Sequence, residues 1–230
     1  MELEPLRQSL ARLPDPLRPA AWPAASHDIP ESRCHWFSEQ GQEGYAKVLK
    51  NLPLCPLYLE LGTFLGAGST AFALETREDL QAICLDNWEI ATVSGEHKPF
   101  NYSDKDGNPC GFVRGEGSAL EHCQNNLRQY RSRVHLLKAQ ISHVTIDILA
   151  NAGIRPDCVF IDDDHGKEPL VKRLFRCRYR WPGALIVCDD YCKMWPGVIE
   201  GVAEAFKRGW YREDESQMLG NRMIAFKGKR

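Results

Sequence analysis

The sequence predicts an α/β fold, a doubly wound and mostly parallel sheet with helices on both faces. Three observations carry that prediction. Short apolar runs alternate with helix-patterned segments over about 170 residues, the rhythm of consecutive strand–helix–strand units. The runs are rich in branched and bulky residues and lack strict apolar–polar alternation, as expected of strands buried on both faces. A glycine-rich turn follows the first run, where the chain leaves a strand and begins a helix.

The elements follow in order. Residues 1–33 carry Pro5, Pro14, Pro16, Pro19, Pro23 and Pro30, which exclude a long helix and leave room for a short one over 6–13. This segment reads as an arm that is ordered only where it docks, and the domain proper is expected over 34–230. A helix is expected over 36–50, with Phe37, Tyr45, Val48 and Leu49 buried. Strands are expected at 57–61, 82–85, 134–137, 158–161, 184–188 and 223–226, and helices at 69–77, 118–131, 143–152, 168–178 and 196–207. In the last helix Val198, Val202, Ala205 and Phe206 share one face at helical spacing. Residues 87–117, with the string NYSDKDGNPCG, are too long for an ordinary connection and read as a long loop or lid.

Composition narrows the function. The apolar share of 43% and charged share of 26% are those of an ordinary globular chain. A net charge of −2 and the lack of a basic stripe argue against nucleic acid and anionic membrane as partners. The nine cysteines are odd in number and include no CxxC, so they read as reduced thiols of a cytoplasmic protein. Cys188 and Cys192 are read as packing rather than metal ligands. No apolar run approaches the ~20 residues of a membrane span.

The string YLELGTFLGAGST places Gly62, Gly66 and Gly68 between the first strand and a helix starting near Ser69. Such a loop lets a ligand approach the main chain and meet free N–H groups at the helix start. Asp86, at the tip of the next strand, is placed to accept hydrogen bonds from ribose hydroxyls. Two cofactor readings stay open. Gly66–Ala71 matches the dinucleotide fingerprint, but its first glycine lies several residues past the strand. A turn at Gly62 instead makes an acid-x-Gly-x-Gly loop of the kind that holds S-adenosylmethionine. A plain strand–helix turn with no ligand is the third possibility.

Two later strands also end in acids. FIDDDH ends at Asp162, and VCDDY ends at Asp189 and Asp190. If the strands are neighbours, three carboxylates converge, which without a cation would raise their pKa values. Oxygen-only ligands in an open site suit Mg²⁺. The alternative is a pair of capped loops. For Asp163 and Asp164 the expected role is turn and helix N-cap. His165, three residues after Asp162, is the candidate base.

Together ELGTFLGAGST, LDNWE, NNLRQYRSRVHLLKAQIS, DCVFIDDDHGKEPLVKRL and PGALIVCDDYCKMWPGV resemble the class I S-adenosylmethionine-dependent methyltransferases, in particular methyltransferase domain family 24, and the related metal-dependent O-methyltransferases. The motifs agree in order over about residues 57–207. The resemblance implies a seven-stranded Rossmann-like sheet. It implies that Glu60, Gly62, Thr63, Gly66 and Ser69 shape the cofactor loop, that Asp86 holds the ribose beside Trp88, and that Ser142 lies near the adenine. It makes Asp162 a contact of both cofactor and metal, assigns Mg²⁺ to Asp162, Asp189 and Asp190, and makes His165 the catalytic base. The chain departs from the family at Asp163, where glycine is usual, and at Ala139 and Gln140, which offer no carboxylate after the third strand.

The implied reaction is O-methylation of a small-molecule hydroxyl on a sugar, phenol or natural-product intermediate. Trp88, Phe100, Tyr191 and Trp195 are candidates to line the acceptor pocket, and 87–117 and 34–50 to close over it. The arm gives a route to a homo-oligomer. The competing readings are an NAD-dependent oxidoreductase and a non-catalytic cofactor-binding partner.

Overall fold

The computed structural model describes residues 3–23, 38–88, 102–103, 109–110 and 118–228. Its strands are β1 (Leu57–Leu61), β2 (Gln81–Asp86), β3 (Tyr102–Ser103), β4 (Pro109–Cys110), β5 (Val134–Lys138), β6 (Cys158–Ile161), β7 (Leu185–Cys188), β8 (Gln217–Leu219) and β9 (Met223–Lys227). Seven of them form one sheet in the order β5-β2-β1-β6-β7-β9-β8. β5, β2, β1, β6 and β7 run parallel, and β9 is antiparallel to both β7 and β8. The doubly wound, mostly parallel seven-stranded sheet is therefore the one expected. β3 and β4 pair separately within the expected 87–117 loop; most of that loop, with Phe100, and residues 24–37 lie outside the described residues.

The helices are α1 (Leu3–Ala11), α2 (Glu39–Lys50), α3 (Ser69–Thr76), α4 (Ala119–Asn126), α5 (His143–Asn151), α6 (Lys167–Arg180) and α7 (Pro196–Lys207). Alternate residues of each central strand enter opposite layers. Leu57, Leu59, Leu61, Val159 and Ile161 pack with residues of α5, α6 and α7. Tyr58, Cys158 and Phe160 pack with residues of α2, α3 and α4. Both faces are thus apolar, which is why the strands show no polar alternation.

Two local differences from the sequence expectation have physical reasons. β8 has two exposed residues out of three and so presents no apolar run. The expected 118–131 helix stops at Asn126 and continues as a short 3₁₀ turn over Arg128–Tyr130. Its start is secured by a capping box between Ser118 and Glu121. No helix among the described residues is long and apolar enough to cross a membrane.

The described part of the proline-rich arm is docked on the sheet. Leu6, Leu10, Leu13 and Leu17 are buried in the same cluster as Ile146 and Leu149 of α5. Pro19 then bridges to Leu137, and Ala20 N–H donates to the Leu136 carbonyl at 2.8 Å. Trp22 packs on the opposite layer. The arm therefore crosses the sheet at its β5 edge and covers backbone groups that an open edge would leave unpaired.

The topology also sets where ligands bind. The chain steps outward from β1 to β2 to β5, then returns to place β6 on the other side of β1. That reversal is a switch point, and ligands of open α/β sheets bind beyond the carboxyl ends of the strands there.

Leu13 is 2% exposed. Leu13→Ala is expected to destabilise the whole domain by about 2–5 kcal/mol, the cost of an unfilled core cavity. Urea unfolding followed by tryptophan fluorescence reads this. A loss within about 0.5 kcal/mol, as for a surface change, would mean that the arm does not belong to the core.

Candidate active site

β1 ends at Leu61, and the chain turns at the next residue. Gly62 has φ +93°, and a Cβ there would run into the Asp162 carbonyl oxygen and lie 2.8 Å from the Asp163 Cα. Only glycine allows this turn to lie against the tip of β6. The sharp turn is thus at Gly62, as in the acid-x-Gly-x-Gly reading. The dinucleotide reading needed the turn at Gly66, four residues further on.

Glu60 is 1% exposed and accepts from Ser69 Oγ at 2.6 Å, Tyr58 Oη at 2.8 Å, and Thr70 Oγ1. Tyr45 Oη in turn donates to Tyr58 Oη at 2.9 Å. The hydroxyls of Ser69 and Thr70, both donating to Glu60, thereby bind β1 to the first turn of α3. Burial pushes the Glu60 carboxyl up to about 7 despite these donors. The side chains of Glu60 and Ser69 are engaged with each other, so what the loop offers a ligand is its backbone. Thr63 Oγ1 is buried with no oxygen or nitrogen partner, only the Cys84 thiol beside it.

Asp86 holds the outer part of this loop. Its carboxylate accepts from Phe64 N–H and from Trp88 N–H, each at 2.8 Å. Trp88 Nε1 donates back to the Phe64 carbonyl at 2.6 Å. Phe64 and Trp88 have φ +50° and +45°, the sparsely populated left-handed region. Asn126 Nδ2 donates to the Leu65 carbonyl at 2.8 Å, tying α4 to the same loop. Gly66 has φ +66°, which favours glycine, and a Cβ there would also press on Leu127 Cδ1 at 2.6 Å. Ser142 caps α5, its hydroxyl accepting from Thr145 N–H at 3.2 Å.

The loops after β6 and β7 carry the second half of the site. His165 Nε2 lies 2.6 Å from Asp190 Oδ2 and 3.9 Å from Asp162 Oδ1. Its ring stacks on Trp195, with centroids 4.0 Å apart. Gly197 lets the start of α7 lie against the His165 carbonyl. Asp190 has φ +56°, and its N–H donates to Asp189 Oδ1 at 2.8 Å. Arg222, in the turn before β9, donates through Nε to Asp189 Oδ1 at 3.3 Å and through Nη2 to Asp190 Oδ1.

Asp163 differs from its expected role. It is not a cap: it is buried against Arg173 of α6, 2.5 Å from Nη2. The N-cap of α6 is Gly166, with no side-chain bond, and Asp164 Oδ1 instead accepts from Gly166 N–H at 2.8 Å. Sequence reasoning missed Arg173 and Arg222. Arg173 had a signal, because it shares the inward stripe of α6 with Leu170, Leu174 and Cys177. Arg222 had none, lying in a turn of an unrecognised hairpin.

Desolvation by the surrounding strand tips raises Asp162 well above the usual carboxylate range even though its side chain is 34% exposed, with Asp189 and Asp190 adding to the effect and Arg222 opposing it. Burial lifts Asp189 to about 6, again against Arg222. His165 is raised, chiefly by its hydrogen bond to Asp190. The ligand atoms of Asp162, His165 and Asp190 lie within 4.8 Å of one another. Asp189 is not among them. This set of two carboxylates and an imidazole is not the all-oxygen shell that Mg²⁺ prefers. The Arg222 guanidinium already lies on Asp189 and Asp190, so a positive charge stands beside the carboxylates that the ion would need. The side chains as arranged do not fit the expected Mg²⁺ triad.

No family model and no curated protein matches the chain. Solved structures do. An assigned caffeoyl-CoA O-methyltransferase from Staphylococcus aureus is 12% identical with a TM-score of 0.55, covering 87% of each chain. The O-methyltransferase NovP is 16% identical with a TM-score of 0.53, covering 83% of this chain and 80% of its own. The precorrin-6y C5,15-methyltransferase from Geobacter metallireducens is 12% identical with a TM-score of 0.52, covering 91% of this chain and 100% of its own. At these identities the likeness is one of fold, a Rossmann-like α/β sheet.

Two outcomes follow from the loop. Gly62→Ala is expected to cost about 3 kcal/mol or more, because left-handed strain and a backbone clash coincide; urea unfolding reads it, and a loss below about 1 kcal/mol would contradict the close approach. Glu60 carries a pH signature. Its folded value, about 7, exceeds the unfolded 4.5. Stability from this group is therefore full below about 4.5 and falls by about 3 kcal/mol as pH rises to about 7. The drop in Tm between pH 5 and 8 should shrink in Glu60→Gln. An unchanged drop would assign the dependence to other groups.

Proposed function

We propose that the protein is an S-adenosylmethionine-dependent methyltransferase acting on a hydroxyl of a small molecule, of the sugar, phenol or natural-product class. The observation that carries this reading is the glycine turn at Gly62, seated at the switch point between β1 and β6 with Asp86 at the neighbouring tip. The O-methyltransferase structures of similar fold support it, as do the motifs over 57–207.

The cofactor supplies an electrophilic methyl group on a sulfonium. The chain's own residues do the rest. The backbone of 62–68 and the start of α3 receive the charged amino-acid end. Asp86 uses one acceptor site on each oxygen for Phe64 and Trp88, and each oxygen keeps a second for a ribose hydroxyl. The side chain of Ser142 is committed to its helix, so the loop at 139–142 offers the adenine backbone groups. Asp190 holds Nε2 of His165 as the protonated nitrogen, which leaves Nδ1 as the acceptor for the substrate proton. Trp195 fixes the plane of that ring. Proton removal exposes an alkoxide or phenolate in line with the methyl group, and positioning then supplies most of the acceleration. No step here uses Mg²⁺.

Calorimetry with S-adenosylmethionine, its demethylated product and NADH tests the reading. Micromolar binding of the first two and none of NADH is expected; the opposite pattern restores the oxidoreductase. Screening sugars and phenols with labelled cofactor then identifies the acceptor class. On that acceptor His165→Ala should lose about 10²–10⁴-fold in turnover while retaining product binding. Unchanged turnover would remove His165 as the base.

A further inference from the structure

We infer that Arg222 is the built-in cation of this site: its guanidinium spans Asp189 and Asp190, holds Asp190 against His165, and takes the charge position that a divalent ion would otherwise fill. The inference rests on the methyltransferase reading only for the reaction that the His165–Asp190 pair serves.

Three observations support it. First, Arg222 is anchored at both ends. Its carbonyl accepts from Tyr191 N–H at 2.7 Å, while its side chain reaches Asp189 and Asp190. The β8–β9 turn is thereby tied to the loop that follows β7. Second, Asp189 and Asp190 have side chains only 3% and 8% exposed. Two adjacent buried carboxylates repel strongly unless a cation with good hydrogen-bond geometry lies beside them. The planar guanidinium meets both with separate nitrogens, which a lysine ammonium does less well. Third, the left-handed backbone of Asp190 turns one carboxylate oxygen toward His165 and the other toward Arg222. A metal that took His165 Nε2 together with Asp190 would have to break the hydrogen bond between them, and it would sit beside the Arg222 guanidinium, whose positive charge opposes it.

Arg222 is thus a positioning residue, acting on His165 through Asp190. Without it the two carboxylates lose their cation. Asp190 then either swings away from the imidazole or recruits a metal together with Asp162.

Electron paramagnetic resonance with Mn²⁺, on protein stripped of metal by chelation, tests this. Wild type is expected to bind no Mn²⁺ at micromolar concentrations, and chelation should leave its Tm unchanged. Arg222→Ala should gain affinity by about tenfold or more, as expected when an opposing charge leaves a buried carboxylate pair, and lose the gain in Arg222→Ala/Asp190→Asn. Nitrogen NMR of His165 should show the Nε2–H form in wild type and in Arg222→Lys, but a mixture in Arg222→Ala. Micromolar Mn²⁺ binding by wild type that vanishes in Asp190→Asn would overturn the inference, and that titration needs no Arg222 variant to fold. So would an unaltered His165 signal in folded Arg222→Ala. Binding of the demethylated cofactor product, measured on the same samples, separates the two proposals. A chain that binds the product and also binds Mn²⁺ keeps the methyltransferase reading and loses this one. A chain that binds neither keeps Arg222 as the cation and loses the methyltransferase reading.

Discussion

The contact between the Gly62 turn and the Asp162 carbonyl is the constraint on which the site is built. It brings the tips of β1 and β6 together at the point where the order of the sheet reverses. From the β1 side it sends out the loop that Asp86 then holds through Phe64. From the β6 side it sets Asp162, and three residues later His165. A wider gap between these tips would remove the clash with a Cβ, but would separate the glycine loop from the histidine and leave two half-sites. The apolar layers above and below the sheet supply the rigidity that lets so close a backbone contact persist.

Around that contact the chain buries more acidic groups than its net charge of −2 would lead one to expect, and each is compensated differently. Glu60 has only neutral hydroxyls, which can donate or accept and so satisfy both of its protonation states. Asp163 has a buried guanidinium, Arg173. Asp189 and Asp190 share another, Arg222. Asp162 is the exception. With a side chain 34% exposed, it lies beside His165 at 3.9 Å and has no close cation of its own. Like Asp86 at the tip of β2, it is only partly buried.

Much of the architecture was legible because burial on both faces leaves a compositional trace. Strands such as Leu57–Leu61 and Cys158–Ile161 carry apolar residues at every position or nearly so, and the crossover helices carry one apolar stripe. Gly62 and Asp86 were legible because a strand end and a glycine locate the turn before any side chain is placed. What did not show was pairing across distance. The inward stripe of α6 marks Arg173 as buried but does not name Asp163 as its partner, and nothing near Asp190 announces Arg222, 32 residues on in a hairpin whose first strand is mostly exposed. Acidic runs were therefore read as caps or as a metal triad, since local spacing cannot say which arginine will lie beside them. The same blindness affected Glu60 and Ser69, which the motif presents as ligand-facing and the fold joins to each other.

The strained residues lie where these carboxylates meet the backbone. Phe64, Trp88 and Asp190 are non-glycine residues with positive φ, and all three follow strand tips at the cleft. Each is held by a carboxylate accepting a backbone N–H: Asp86 for Phe64 and Trp88, and Asp189 for Asp190. Left-handed backbone at such residues costs on the order of 1–3 kcal/mol and persists only where surrounding bonds over-determine it. Asp86 and Asp189 therefore act first on the chain, by stabilising conformations that other residues would not adopt alone. In Asp189 this leaves Asp190 turned toward His165. In Asp86 it leaves the glycine loop open and one acceptor site per oxygen free. An acid at a strand tip can thus be a framework residue and a ligand residue at once, because a carboxylate has more acceptor sites than the backbone bonds use.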